Sequence, residues 1–253
     1  MKLAIDVMGF ENDPNEAINA CRLFNKKHSN VNFILVGQKT LIESHLKTTD
    51  KFEIVNATDI IKMNTSPVAA LRSVNSSMYK AIELVQKGTA DGVLSAGSST
   101  CFVPMTYVLL KVIPGINKPA FMPFVPTTNR RGFMFLDTGA NKECTGEDLH
   151  QFALLATVYC QLVRGIQKPN VGIINIGTEA EKGFSYHKEA NELCQKDLNI
   201  SYRGFVEPRS LLDGLIDIAV ADGYTGNIVL KSLEGGLSAI KSALKKEYAK
   251  PYN

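Results

Sequence analysis

Five segments of the chain place a glycine beside small hydroxyl, amide or carboxylate side chains. They are Asp6–Gly9, Ser95–Thr100, Asp137–Asn141, Asn175–Glu179 and Asp222–Asn227. Glycine lets backbone N–H groups approach a ligand, hydroxyl groups add donors, and a following helix adds the positive end of its dipole. One such loop is typical of a tight turn with a helix cap. Five of them favour a polar cleft for a small oxyanion such as phosphate.

Two cations could add positive charge to this cleft. Lys182 stands beside a glycine in the segment Asn175–Gly183, and Arg72 ends the segment Pro67–Arg72. Most lysines lie on solvated surfaces, and an arginine at this spacing equally fits a salt bridge on a helix surface. The position of each among the polar loops makes it a candidate for anion binding.

Cys101 directly follows the loop Ser95–Thr100. A thiol at a helix N-terminus can have a lowered pKa and act as a nucleophile. An acyl-cysteine route therefore stands as an alternative to direct attack on a substrate.

The loops follow short apolar runs that alternate with helical segments. We predict strands at Lys2–Met8, Phe33–Val36, Phe52–Asn56, Gly92–Ser95, Phe133–Leu136, Val171–Ile176 and Asp217–Ala221. We predict helices at Asn15–Lys27, Thr40–Leu46, Pro67–Gly88 with a break near Ser76–Ser77, Glu147–Val163, Glu179–Lys196 and from about Asn227. Continuous apolar strands are typical of a parallel sheet with helices on both faces. In such a sheet the carboxyl ends of the strands bring the loops to one edge, within one continuous α/β domain over residues 1–253.

One predicted helix has a clear start and a clear apolar face. Thr145 and Asp148 have the spacing of a capping box ahead of an apolar run. Cys160 falls on the apolar stripe of that helix, which predicts a buried structural thiol.

Composition excludes several classes of protein. The chain has 253 residues, of which 45% are apolar, and its net charge is only +3, which argues against disorder and against a dedicated nucleic-acid binder. No export signal is expected, and the longest apolar stretch, Cys101–Ile113, is too short to span a membrane. Neither the five isolated cysteines nor the four histidines show the spacing of a zinc site, so we expect no metal, no disulfide and a cytoplasmic location. The motifs GxxxxGK[ST], GxGxxG and GxSxG are missing where they would indicate nucleotide binding or an α/β-hydrolase.

An ordered set of motifs resembles the PlsX family, the acyl-carrier-protein:phosphate acyltransferases of bacterial phospholipid synthesis. The motifs are AIDVMGFENDP (residues 4–14), SSM (76–78), ADGVLSAGSST (90–100), LDTGAN (136–141), NIGTEAEKG (175–183) and DGYTGNIVLK (222–231). The resemblance implies a three-layer α/β/α sandwich similar to isopropylmalate dehydrogenases and phosphotransacetylases. It also implies a dimeric enzyme, without a cofactor, that moves a long-chain acyl group from acyl-carrier protein to inorganic phosphate.

The resemblance also assigns roles to residues. Lys182 and Asn227 match the catalytic positions of the family, and the substrate-binding positions would be Gly97, Ser98, Ser99, Asn141, Glu179, Asp222 and Arg72. Thioester cleavage by phosphate needs donors more than a nucleophilic side chain, so we expect direct attack by phosphate. The resemblance further implies peripheral membrane contact. The basic tail Lys241, Lys245, Lys246 and Lys250 fits either a solvated face or contact with an acidic protein or a membrane surface.

Two further functions stay open on the sequence. The family has an AGNTGA-like loop where this chain has Ala96–Cys101, and family members generally continue past this C-terminus, so the chain is expected to be shortened relative to them. These departures fit a catalytically weakened homologue that binds acyl-carrier protein as a regulatory module. A second option is an enzyme that takes its acyl group from coenzyme A.

Overall fold

Short parallel strands alternate with helices in the computed structural model, which describes residues 1–9 and 13–248. Residues 10–12 of the first motif and Lys250 of the basic tail therefore lie outside the described residues. The chain forms two units, Met1–Ile113 and Pro114–Asn253.

The first unit is built on a sheet of four parallel strands in the order β3-β2-β1-β4. The strands are β1 (Lys2–Asp6), β2 (Asn32–Gly37), β3 (Glu53–Asn56) and β4 (Gly92–Ser95). The helices are α1 (Pro14–Asn25), α2 (Lys39–His45), α3 (Pro67–Arg72), α4 (Ser77–Gln86) and α5 (Ser99–Leu110).

Alternate residues of β1 and β2 enter different hydrophobic clusters of this unit. Ile5 and Leu35 pack with residues of α1 and α2, such as Ile18 and Ile42. Ala4 and Ile34 belong to a second cluster, which includes residues of α4. Because side chains of a strand alternate between faces, the sheet is covered on both sides.

The second unit is built on a sheet of five strands in the order β5-β6-β9-β7-β8, in which β5 and β6 are antiparallel and the other pairs are parallel. The strands are β5 (Phe124–Val125), β6 (Phe133–Leu136), β7 (Asn170–Ile174), β8 (Ser201–Val206) and β9 (Ile218–Val220). The helices are α6 (Gly146–Val163), α7 (Ser185–Lys196), a 3₁₀ helix (Pro208–Asp213) and α8 (Gly223–Tyr248).

Strand β6 shows how this sheet is covered on both faces. Met134 and Leu136 pack in a cluster with Phe152 of α6. Phe133 and Phe135 point into the other cluster, where Leu211 of the 3₁₀ helix and residues of α8 pack. All four side chains of β6 are buried, as the continuous apolar run predicts.

The observed architecture confirms the predicted fold class, a mixed α/β fold with mostly parallel strands and helices on both faces. The expectation of a single sheet was wrong, because β1 to β4 pair with one another and β5 to β9 form a second sheet. The polar loops are therefore divided between two sheets, two in the first unit and three in the second. Whether the chain folds as a single domain stays a prediction.

Several element boundaries differ from the sequence prediction. The helix predicted from Glu179 begins at Ser185, because Gly183 adopts a left-handed φ of 86° and the segment before it is a loop. The helix predicted from about Asn227 begins at Gly223. Helix α5 and strand β8 were not predicted. The capping box of Thr145 and Asp148 is present as predicted, and Cys160 is fully buried.

Candidate active site

In the second unit, the buried carboxylate of Asp137 organises the loop that follows β6. Its Oδ1 accepts hydrogen bonds from the backbone N–H groups of Gly139 and Ala140, at 3.1 and 3.0 Å, and from that of Phe121 at 3.0 Å. Its Oδ2 accepts from the backbone and the side-chain amide of Asn141, at 2.7 and 2.9 Å. The fully buried carboxylate is thus satisfied by five donors, and the loop has one fixed shape.

The first turn of α8 packs directly against this loop. The N–H group of Gly223 donates to the carbonyl oxygen of Asn141 at 2.9 Å. A Cβ atom on Gly223 would collide with that same carbonyl, and a Cβ atom on Gly226 would collide with the carbonyl oxygen of Asp137. The glycines of the DGYTGN motif are therefore required by close backbone approach.

The packing places Asn227 beside the 137–141 loop. Gly139 has a φ of 133°, and a Cβ atom on it would lie 3.6 Å from Cγ of Asn227. Asp222 caps the same helix, since its Oδ1 accepts from the N–H group of Thr225 at 2.9 Å. The structure thus brings Asn141, Asp222 and Asn227 into one cluster, with Asn227 exposed to solvent.

Lys182 lies in the loop between β7 and α7. Its backbone carbonyl accepts a hydrogen bond from the side-chain amide of buried Asn175 at 3.0 Å, which fixes the position of the lysine. Its ammonium group is 3.1 Å from the carboxylate of Glu179, and the two side chains are 48% and 57% exposed. A hydrogen bond from its own backbone and the nearby Lys182 lower the pKa of the Glu179 carboxyl. Lys182 is therefore a solvent-accessible cation on an anchored backbone.

Two residues that the sequence did not single out adjoin this site. The hydroxyl group of Tyr186 donates to Oδ2 of Asp222 at 3.1 Å, and burial raises the pKa of the phenol. Nδ1 of His187 accepts from the N–H group of Phe184 at 3.1 Å, and burial lowers the pKa of the imidazole. Nothing in the sequence pattern marked these residues, because the helix was expected to begin earlier.

The first unit presents a pair of touching glycine turns at the ends of β1 and β4. Oδ1 of Asp6 accepts from the N–H group of Gly9 at 3.1 Å, and its Oδ2 accepts from the hydroxyl of Ser95 at 2.7 Å. The same hydroxyl oxygen accepts from the N–H group of Gly97 at 3.1 Å. A Cβ atom on Gly9 would lie 2.9 Å from the nitrogen of Gly97, so the approach needs a glycine there.

The start of α5 has donors that are not used within the described part of the chain. Ser98 is the N-cap residue but its side chain makes no capping bond, whereas Ser66 and Ser76 cap α3 and α4 through their hydroxyl groups. The first backbone N–H groups of α5, at Ser99 and Thr100, likewise have no hydrogen-bond acceptor among the residues described. Free donors at a helix N-terminus are suited to an anion.

Arg72 and Cys101 also belong to the first unit. Arg72 is exposed at the end of α3, and no described residue accepts a hydrogen bond from it or pairs with its charge. Cys101 is only 1% exposed, and its thiol donates to the carbonyl oxygen of Thr65 at 3.1 Å. A buried, hydrogen-bonded thiol favours a structural role for Cys101 over that of a nucleophile.

The predicted site residues are therefore divided between the two units. Gly97, Ser98, Ser99 and Arg72 lie in the first unit, and Asn141, Glu179, Lys182, Asp222 and Asn227 lie in the second. A cavity of about 670 Å³ in the first unit is not part of this set. It is lined by the end of α1 and by the segment that precedes β3, which are at the amino ends of the strands, away from the glycine turns.

No three His, Cys, Asp or Glu side chains within residues 1–9 and 13–248 are grouped as a metal site would require. Over the same residues, none of the helices has both the length and the apolar character needed to cross a bilayer.

A family model described as "Fatty acid synthesis protein" matches residues 1–252 of the chain. A curated protein of Malacoplasma penetrans (strain HF-2), named "Phosphate acyltransferase", is 53% identical over 251 residues, which are 99% of this chain and 76% of that protein. A protein of Mycoplasma pneumoniae (strain ATCC 29342 / M129 / Subtype 1) with the same name is 44% identical over 247 residues, which are 98% of this chain and 75% of that protein.

Solved structures of low sequence identity share the fold. The EutD phosphotransacetylase from Staphylococcus aureus aligns with a TM-score of 0.66 and 20% identity, over 93% of this chain and 82% of that one. A phosphotransacetylase from Streptococcus pyogenes aligns with a TM-score of 0.68 and 18% identity, over 91% of this chain and 80% of that one.

Proposed function

Because the chain belongs to the fatty acid synthesis protein family, whose matched relatives are named phosphate acyltransferase, we propose that it transfers a long-chain acyl group from acyl-carrier protein to inorganic phosphate. The product is an acyl phosphate for phospholipid synthesis. The chain is an acyltransferase, and no finding favours the alternative of a catalytically weakened regulatory module.

The reaction places modest demands on the protein. An oxygen of the phosphate dianion attacks the thioester carbonyl carbon, a C–O bond forms, and the C–S bond breaks as the tetrahedral intermediate collapses. The electron pair leaves on sulfur, and the thiolate is protonated from solvent. Phosphate is already ionised near pH 7 and a thiolate leaves readily, so the protein mainly supplies orientation and hydrogen-bond donors.

The donors at the start of α5 carry this proposal. Exposed Ser99 and buried Ser98, next to the glycine turn at Gly97, have donors that no described residue engages, with Arg72 as an added cation. In the second unit, Lys182 supplies positive charge and Asn227 hydrogen bonds the reacting oxygen. Asn141 and Asp222 hold Asn227 in place, and Glu179 positions the Lys182 ammonium group.

An assay of thiol release tests the proposed function and its acyl donor. The full chain is mixed with a C16 acyl-carrier protein, or with C16 coenzyme A, in the presence and absence of phosphate. We expect phosphate-dependent release of free carrier-protein thiol, with a higher kcat/KM for the carrier protein. Faster turnover of the coenzyme A ester would reverse the donor assignment, and release without phosphate from either donor would reject phosphate as the acceptor.

Helix α8 supports the further proposal of peripheral membrane contact at the cytoplasmic face. Leu237, Ile240 and Leu244 are each more than half exposed and recur at spacings of three and four residues. Lys241 and Lys245 lie beside this stripe, and an apolar stripe flanked by cations is typical of an interfacial helix. Sedimentation with vesicles of 30% anionic lipid tests the contact.

A homodimer is likewise proposed, and light scattering of the purified chain tests it.

A further inference from the structure

Tyr186 joins two segments of the second unit that each carry a residue of the proposed reaction. Its hydroxyl group donates to Oδ2 of Asp222 at 3.1 Å, while Oδ1 of the same carboxylate accepts from the N–H group of Thr225 in the first turn of α8. One buried carboxylate thus bonds the first turn of α7 and the first turn of α8. Within the described residues, no other hydrogen bond joins the segment 175–187 to the segment 222–248.

The first turn of α7 is rigidly continuous with Lys182. The side chain of Asn175 holds the carbonyl oxygen of Lys182, and Nδ1 of His187 holds the N–H group of Phe184. A Cβ atom on the intervening Gly183 would lie within 3.0 Å of both side chains, so this stretch is close-packed. A shift of α7 relative to α8 would therefore move Lys182.

The packing of the first turn of α8 likewise fixes the position of Asn227. Gly223 is bonded to the carbonyl of Asn141, and Gly226 leaves no room between the helix and Asp137. Asn227 directly follows this close contact in the helix that Asp222 caps. The carboxylate of Asp222 is 4% exposed, so the loss of one of its donors would leave a buried charged oxygen without that partner.

We propose that Tyr186 is a positioning residue, which sets the separation of Lys182 and Asn227 by hydrogen bonding Asp222. The proposal rests on the proposed function, because the two residues must act on the same phosphate and thioester. A misplacement of about 1 Å between groups that act together can cost about 100-fold in rate. The ring of Tyr186 stacks on Phe184 and packs against His187, so removal of the hydroxyl alone leaves the ring contacts in place.

Tyr202 provides a matched control. Its hydroxyl group donates to Oδ1 of Asn191 in α7 at 2.8 Å. Tyr202, like Tyr186, therefore forms one side-chain hydrogen bond that links α7 to another element. This bond lies on the following turn of α7 and reaches β8, away from Lys182 and α8. Tyr202→Phe removes a hydroxyl of the same kind, and Tyr186→Phe removes the one that bonds Asp222.

The experiment measures kcat and KM for phosphate in the full chain, together with hydrogen exchange over residues 176–184 and 222–230. For Tyr186→Phe we expect kcat to fall about 10-fold or more, and exchange to rise in both segments. Tyr202→Phe should keep kcat within about twofold and leave the exchange of both segments unchanged. Circular dichroism confirms that both variants are folded at the assay temperature.

Different results would overturn the positioning role of Tyr186 and the proposed function. An unchanged kcat for Tyr186→Phe, an equal loss for Tyr202→Phe, or faster exchange in one segment alone overturns the positioning role. A wild-type chain without phosphate-dependent thiol release rejects the proposed function. The exchange data then still decide whether Tyr186 connects the two segments, because they need no turnover.

Discussion

At the scale of the residue, the site depends on a few buried carboxylates that hold backbone groups in place. Asp137 accepts five hydrogen bonds, and Asp6 bridges two glycine turns through Ser95. Both side chains are buried, and their oxygens are occupied by these internal donors. Their contribution is to fix the shape of the loops that carry the candidate site.

Lys182→Ala tests the charge assigned to the second unit. Because one donor to a developing oxyanion is typically worth 10²–10³ in rate, we expect kcat/KM for phosphate to fall about 100-fold. The free energy of unfolding should stay that of the wild type, since the pair with Glu179 is exposed and screened by solvent. Steady-state kinetics and urea unfolding measure the two effects.

Lys196→Ala is the control for this variant. Lys196 pairs with Glu192 on an exposed face of α7, in an ion pair of 3.8 Å, and has no place in the site. We expect its kinetics to match those of the wild type. Full turnover in Lys182→Ala would remove the main residue assignment.

At the scale of the element, α8 has two glycine environments that differ sharply. Gly226 packs against the carbonyl of Asp137, whereas a Cβ atom placed on Gly235, in the same helix, would have no atom within 4 Å. The first glycine is required by tertiary contact, and the second only lowers helix propensity. The same substitution should therefore have opposite effects at the two positions.

Gly226→Ala should destabilise the chain by about 1–3 kcal/mol, because overpacking forces the helix away from the 137–141 loop. It should also lower kcat, since Asn227 moves with the helix. Gly235→Ala should stabilise the helix by up to about 1 kcal/mol and leave kcat unchanged. Urea unfolding of both variants measures the difference, and a destabilising effect of Gly235→Ala would contradict the assigned environments.

Helix α7 begins six residues later than the sequence predicted, at Ser185 and not at Glu179. The apolar and polar spacing of Glu179–Lys196 is compatible with one helix, but the side chain of Asn175 and the left-handed Gly183 hold the first part as a loop. The loop conformation frees Lys182 from the helix surface. The structure therefore places Lys182 in a loop and not on the surface of a helix, where a lysine is ordinarily expected.

At the scale of the whole molecule, stability at low pH should depend on buried ion pairs such as Arg22–Asp50. Arg22 binds Asp50 through two nitrogens, at 2.9 and 2.6 Å, and the side chains are only 13% and 6% exposed. The hydrogen bonds from Arg22 lower the pKa of the Asp50 carboxyl. The folded chain therefore holds this carboxylate ionised at pH values where the unfolded chain protonates it.

The sign of the pH dependence follows from this shift. The stabilisation is fully present above the unfolded pKa of about 3.9 and is lost as the pH falls through the lower folded pKa. At pH 7, Asp50→Asn should lower the free energy of unfolding by about 3 kcal/mol, and the difference from wild type should shrink as the pH falls below about 4. Urea unfolding across this range measures it.

Glu43→Gln is the control for this prediction. Glu43 pairs with Lys39 at 3.7 Å, but both side chains are at least half exposed. Its loss should cost less than about 1 kcal/mol at every pH. An equal acid dependence in Asp50→Asn and wild type would show that another group governs acid unfolding.

The sequence by itself determined the features that depend on near neighbours along the chain. The alternation of strands and helices, the capping box at Thr145, the burial of Cys160 and the ordered glycine motifs all rest on short-range spacing. The alternation was enough to predict the fold class, because local hydrogen bonding and hydrophobic periodicity act over a few residues. The family followed from the resemblance of the ordered motifs.

Only the tertiary structure decided which distant segments meet. The docking of α8 on the Asp137 loop and the bond between Tyr186 and Asp222 join residues that are 36 or more positions apart, and the two sheets pair strands that do not follow one another in the chain, such as β1 and β4. No spacing along the chain encodes such a pair, because burial and shape complementarity select it once the sheet has formed. The sequence thus proposed residues for the site, but it could not show the groups that hold them in place.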